Sequence, residues 1–166
     1  MKRTLLLMRH AKSAWNNANL TDHERPLNAR GRRDAPAIGQ YLAQLNLGPS
    51  RAFISDARRT METFEHMWTF MPEIVPDYAS DLYLADRTAI QRRCAGLPTS
   101  CARALMLGHN PGWSAAVGWL SGVHVELKTA CIAVLDSDHD TWADSMQPQR
   151  WTLTRVITPT EAHSAL

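Results

Sequence analysis

Short apolar runs alternate with stretches of helical spacing along this chain. TLLLM (residues 4–8), RAFIS (51–55), RALML (103–107) and CIAVL (131–135) have the length and aliphatic content of buried strands. WTLTRVI (151–157) alternates polar and apolar positions, as an edge or final strand does. Between these blocks the period changes. Ile38, Leu42 and Leu45 fall at i, i+4 and i+7, with Pro36 expected to kink that helix or delay its start. Met61, Phe64, Trp68 and Met71 share one face of a second helix. Ile90, Cys94 and Leu97 define a short third, with Asp86 placed to cap it. A fourth runs from an Asn110 cap through Pro111 to Trp113, Val117 and Leu120. Trp68, Trp113 and Trp119 lie on helical faces and are expected in the core. The polar stretch DSDHDTWADSMQPQR (136–150) reads as a surface loop. Strands alternating with helices predict an α/β fold with a largely parallel sheet.

Composition narrows this picture without redrawing it. With 166 residues, no internal repeat and no linker-like stretch, the chain reads as one domain spanning 1–166. The formal charge of +2 is too small to argue for nucleic acid, and the arginines are not interleaved with aromatics as a nucleic-acid surface requires. The basic residues are nonetheless lopsided, 15 Arg against 3 Lys, and arginine offers a planar donor fork that suits phosphate. Cys94, Cys101 and Cys131 are odd in number and lack C-x-x-C spacing, which argues against a disulfide framework and fits a reducing, cytoplasmic location. The apolar run before Arg9 is too short for a signal sequence or a membrane span, so no membrane partner is expected. DSDHD (136–140) lacks the glycine and terminal glutamate of a calcium loop. No other Asp, Glu and His set has ligand spacing, so neither metal nor cofactor is expected.

The candidate chemistry lies where the strands end. In open α/β sheets, ligands bind beyond the carboxyl ends of the strands. The first strand ends on Arg9 and His10, the second on Ser55 followed by Arg58 and Arg59, the third on His109 in LGHNPG. If these strands are parallel neighbours, two histidines and at least two arginines converge. Such a pocket suits phosphoryl transfer: a neutral imidazole is a nucleophile, and arginines stabilise charge spread over the equatorial oxygens. A second, protonated histidine and the N–H groups of the helix start at Asn110–Pro111 are further expected donors. Arg58, by contrast, fits an exposed helix charge facing Glu62 or Glu65.

These residues resemble a family. LMRHAKS (7–13) is similar to the R-H-G or R-H-A signature of the histidine phosphatase superfamily. RPLNARGRRDA (25–35), ISDARRTMET (54–63), with the spacing S-x-x-x-R-x-x-x-T, and LMLGHNPG (105–112) resemble its further blocks, in order and spacing. The combination looks most like the protein-phosphohistidine phosphatase branch. The resemblance implies a three-layer α/β/α sandwich, a nucleophile at His10, and a phosphoryl group bound by Arg9, Arg59 and His109. It further implies substrate contacts from Arg25 at the rim and from Ser13 and Asn16, with no metal and no cofactor. Mutase-like members use a glutamate as general acid, and no glutamate here matches it; Asp81, in SDLYLA, is the nearest candidate.

The expected activity is therefore metal-independent hydrolysis through a phosphohistidine intermediate, with protein phosphohistidine as substrate. A small phosphorylated metabolite as substrate of a phosphomonoesterase with the same fold is the alternative. A non-catalytic module binding phosphate or nucleic acid is a more distant one.

Overall fold

Leu5, Leu6, Leu7 and Met8 have no exposed surface, because the first strand is covered on both faces. Alternation sends Leu5 and Leu7 to one face and Leu6 and Met8 to the other, and each pair joins a different apolar cluster. The computed structural model describes all 166 residues. In chain order the elements are β1 (Arg3–Arg9), α1 (Ala29–Gln44), β2 (Arg51–Ser55), α2 (Arg58–Trp68), β3 (Pro76–Ala79), α3 (Arg87–Ala95), β4 (Arg103–Gly108), α4 (Gly112–Ser121), β5 (Ile132–Ser137), α5 (Trp142–Ser145), β6 (Thr152–Ile157) and α6 (Pro159–Ala165). A 3-10 turn at Ser80–Leu82 follows β3.

The six strands lie in the order β3-β2-β4-β1-β5-β6. β3, β2, β4 and β1 are mutually parallel, and β5 runs antiparallel to both β1 and β6. Residues of α1, α2 and α6, among them Ile38, Leu42, Phe64, Met67 and Ala162, pack against one face. Ile90, Trp113, Val117, Leu120 and Trp142, from α3, α4 and α5, pack against the other. The result is the three-layer α/β/α sandwich, with apolar contacts on both sides of the sheet.

Several local expectations change. α1 starts at Ala29 and continues through Pro36, because the Asn28 side chain caps it at Gly31 N. α2 ends at Trp68, which is 48% exposed and donates from its indole nitrogen to the Ile74 carbonyl, so it lies outside the core. Met71 is buried beyond the end of that helix. Trp119 is half-buried. The stretch 136–150 is more than a surface loop: it includes the end of β5 and all of α5, whose Trp142 is fully buried beside Trp151 and donates to the Cys101 carbonyl. Asp86 caps α3 as expected, accepting from Thr88 N at 2.9 Å.

One close approach links the helical layer to the segment after β1. A Cβ on Gly31 would lie 2.2 Å from the Lys12 carbonyl oxygen. Gly31→Ala is therefore expected to push that segment outward and cost about 1–3 kcal/mol. Urea titration would measure it as a lower midpoint at unchanged slope; an unaltered midpoint would show that Lys12 can move freely.

Candidate active site

Register brings the two histidines together. β1 pairs with β4 so that Arg9 is opposite Gly108, and the next residues are His10 and His109. The His10 N–H donates to the Gly108 carbonyl at 3.0 Å, and the ring centroids are 5.3 Å apart. β2 lies on the other side of β4, which places Ser55 at the same end of the sheet. Ser55, Arg59 and Thr63 recur at four-residue intervals from that strand end into α2, and each has a separate task. The Ser55 hydroxyl meets His109 Nε2 at 2.7 Å. The Arg59 side chain reaches both histidines, and the Thr63 hydroxyl accepts from the Ala11 N–H at 3.0 Å.

The donors settle the proton positions. Arg59 can only donate. Its Nε approaches His10 Nε2 at 3.3 Å, and its Nη2 approaches His109 Nδ1 at 3.3 Å, so both ring nitrogens accept. His10 consequently carries its proton on Nδ1, which donates to the Ala11 carbonyl at 2.7 Å. His109 carries its own on Nε2 and donates to Ser55. Burial, together with the nearby arginines, pushes the His10 pKa down to about 3 despite the Ala11 carbonyl, which favours the charged ring. Burial first, then His10 and Arg59, pushes His109 down to about 2. The unliganded pocket thus holds His109 neutral, in place of the protonated donor expected from the sequence.

Arg9 donates from Nη1 to the Leu127 carbonyl at 3.2 Å, while its buried Nε has no partner. Arg59 is buried and forms no pair with Glu62 or Glu65; Arg58 takes that exposed role, at 3.9 Å from each. The helix start at α4 contributes less than expected. The Trp113 N–H is taken by the His109 carbonyl and the Ser114 N–H by the Asn110 side chain, and the cap itself is Pro111, which has no N–H.

The remaining predicted residues separate into two groups. Ser13 is buried and accepts from Arg25 Nη1 at 2.8 Å, and Arg25 also donates to the Ala14 carbonyl. Asn16 is exposed; with Arg25 and Pro26 it lines a cavity of about 390 Å³ beside the site. Asp81 stands apart. It is paired with Arg93 at 2.5 Å and with Arg92 at 3.9 Å, and it bonds none of the site residues. The Arg93 hydrogen bond holds its carboxyl below the usual range, so it is ionised at neutral pH and has no proton to give. A cavity of about 690 Å³ elsewhere contains none of the strand-end residues and is lined instead by Pro49, Phe70, Met71 and Arg103.

Asp22 and Tyr83 join the site without having been read from the sequence. Asp22 Oδ1 accepts from Arg25 Nε at 3.1 Å and Nη2 at 3.0 Å, and Oδ2 accepts from Arg59 Nη2 at 3.1 Å and the Tyr83 hydroxyl at 2.5 Å. Its main-chain carbonyl accepts from Arg59 Nη1 at 2.6 Å. Burial opposes the charge, but the Tyr83, Arg25 and Arg59 donors prevail and hold the carboxyl well below the usual carboxylate range. The Tyr83 ring stands edge-on to His109 at 5.5 Å and to His23 at 4.8 Å. Both residues come from loops, and the only signal for Asp22 is its place three residues before Arg25.

Two histidines among arginines at the carboxyl ends of parallel strands form a pocket suited to a phosphoryl group, as a phosphatase requires. Residues 5–89 match the model of the histidine phosphatase superfamily (branch 1), and the chain belongs to that family. It is 33% identical over 172 residues to an uncharacterised chloroplastic protein of Arabidopsis thaliana, covering 96% of this chain and 79% of that one. Among solved structures it resembles the "putative phosphohistidine phosphatase SixA" of Nakamurella multipartitia, at TM-score 0.84 and 28% identity over 96% of this chain and 97% of the other. The like-named protein of Agrobacterium tumefaciens superposes at TM-score 0.82 and 25% identity, over 95% and 98% of the two chains. No helix is long and apolar enough to cross a membrane.

Proposed function

We propose that the chain hydrolyses protein phosphohistidine through a phosphoryl group carried on His10 Nε2. One observation carries this reading: the Nε2 lone pair is unprotonated and faces Arg59, while Nδ1–H is fixed on the Ala11 carbonyl. In the first step Nε2 forms a bond to phosphorus as the bond to the departing imidazole breaks. The electron pair returns to the departing ring, which leaves neutral if its other nitrogen was already protonated. Arg9 and Arg59 stabilise the equatorial oxygens, and the incoming dianion draws a proton onto His109. Because Nδ1 keeps its proton, the phosphorylated His10 ring is in its labile form. Water then attacks phosphorus, the P–Nε2 bond breaks, and the pair returns to His10 as phosphate leaves. The SixA-named relatives support the substrate class. The three free, buried cysteines suit a reducing compartment such as the cytoplasm.

The leaving group is the discriminating feature. An alkoxide, whose conjugate acid has a pKa near that of water (about 15.7), needs an enzyme acid typically worth about 10²–10⁴-fold. Asp81 is tied to arginines, and imidazole, with a pKa of about 6.5, leaves without such help. The kcat/KM values for a phosphohistidine peptide and a panel of alkyl phosphates are expected to differ by at least about 10²-fold, in favour of the peptide. Alkyl phosphates turned over equally fast would establish the small-molecule phosphomonoesterase reading instead.

Two further results are expected. Positive charge in the pocket comes from side chains, so turnover should survive exhaustive chelation and be inhibited by vanadate; restoration by an added metal after chelation would contradict the mechanism. With the His10 pKa pushed to about 3, the nucleophile stays neutral between pH 7 and 5. Activity on phosphohistidine should therefore rise as pH falls through about 6.5 and the substrate ring gains its proton. A loss of activity across that range in a kcat/KM profile would mean that His10 titrates normally.

A further inference from the structure

A carboxylate among phosphate-binding arginines needs a reason, since it repels the anion that the arginines attract. Asp22 lies at the outer end of Arg59: its side chain is 44% exposed against 3% for the arginine. Moving outward, the order is His10 Nε2, the Arg59 guanidinium, then the Asp22 carboxylate with the Tyr83 hydroxyl on it. In-line transfer sends the leaving group away from Nε2. That path runs from the buried histidines toward the exposed side, where Asp22 lies. A second carboxylate, Asp56, sits at the same mouth on His23, whose ring packs against Tyr83.

We propose that Asp22 makes the site selective for leaving groups that carry positive charge, so that it favours phosphorylated imidazolium rings and disfavours phosphate esters whose organic part is anionic. This specificity role rests on the phosphohistidine reading above. In the reactive substrate one ring nitrogen bears phosphorus and the other a proton, and the ring is cationic. A fixed carboxylate beside it stabilises that protonated form, which is the form that departs as a neutral ring when the P–N bond breaks. The Tyr83 hydroxyl, on the exposed side, is the partner of Oδ2 that a ring N–H can replace. Arg25 holds the other oxygen through two nitrogens and is itself anchored on Ser13 and the Ala14 carbonyl, so the carboxylate stays in place. The same charge faces any carboxylate or second phosphate on a metabolite ester and repels it.

The test uses 4-(trimethylammonio)phenyl phosphate and 4-carboxyphenyl phosphate, which place opposite charges at one position of the leaving group. The ratio of their kcat/KM values is measured in the full-length wild type and in Asp22→Asn. Intrinsic leaving-group reactivity cancels when the two ratios are compared. The ratio is expected to fall about tenfold in the variant, and kcat/KM on a phosphohistidine peptide to fall by at least as much. An unchanged ratio, even with reduced turnover, would overturn the proposal and leave Asp22 as a clamp for Arg59. If Asp22→Asn does not fold, the wild type alone decides: the ratio should shrink as ionic strength rises, and constancy would overturn the proposal. A wild type that shows the charge preference but ignores phosphohistidine would overturn the substrate reading and retain the role of Asp22.

Discussion

His10→Ala is expected to lower turnover by at least about 10⁴-fold and to abolish covalent labelling. The argument is structural as well as chemical. His10 Nε2 is the accepting nitrogen held against Arg59 Nε, and its proton is kept on Nδ1 by a main-chain carbonyl that cannot titrate. His109 is held differently: its Nε2–H donates to Ser55 at 2.7 Å, and its Nδ1 accepts from Arg59 at 3.3 Å. Rapid quenching after mixing with a radiolabelled phosphodonor should trap an acid-labile, alkali-stable phosphoryl group in the wild type only. The side chain is buried, so circular dichroism and a urea titration of the variant must accompany the kinetics. Undiminished turnover in a folded His10→Ala protein would falsify the covalent mechanism.

The second large effect is expected at Arg59. One guanidinium touches His10, His109, the Asp22 carboxylate and the Asp22 main chain. Its planar fork allows a single group to span these partners, and an ammonium has no equivalent geometry. Arg59→Lys should therefore behave nearly as badly as Arg59→Met. Both should lose about 10³–10⁵ in kcat, the range for an arginine that stabilises phosphoryl-transfer charge. Vanadate inhibition should weaken in parallel, since it reports the same charge distribution. Arg58→Met is the matched control: that side chain is half exposed, faces Glu62 and Glu65, and should change kcat less than about threefold. If Arg59→Lys kept wild-type kcat, the bridging role of the fork would be refuted.

Legibility in the sequence followed physical range. His10, Ser55 and His109 could be read because each directly follows or ends an apolar strand, and parallel pairing then determines which of them meet. Arg59 came from the family resemblance, which keeps an arginine four residues after Ser55. Asp22 and Tyr83 meet across 61 residues through loops, with no periodicity to mark either one. β3 was missed because it is a four-residue edge strand that begins on Pro76 and exposes Asp77 and Tyr78. Trp142 was missed because the polar residues around it hid a one-turn helix whose single large side chain fills the core. α6 is different, since its signal was present. Thr158 caps at Glu161 N, with Pro159 at the first helical position, and T-P-T-E is a legible helix start.

The position of β4 between β1 and β2 also bears on how the protein is made. β1 and β2 do not pair with each other; β4 lies between them and pairs with both. At a ribosome adding roughly 5–20 residues per second, about 100 residues, or some 5–20 s, separate the emergence of Arg9 from that of Gly108. Through that interval the LLLM segment has neither β4 nor β5 beside it, and both are needed to complete its sheet. A nascent chain of this design presents a bare aliphatic strand for seconds before His10 has His109 beside it. Chaperone engagement during synthesis should therefore concentrate on the first strand.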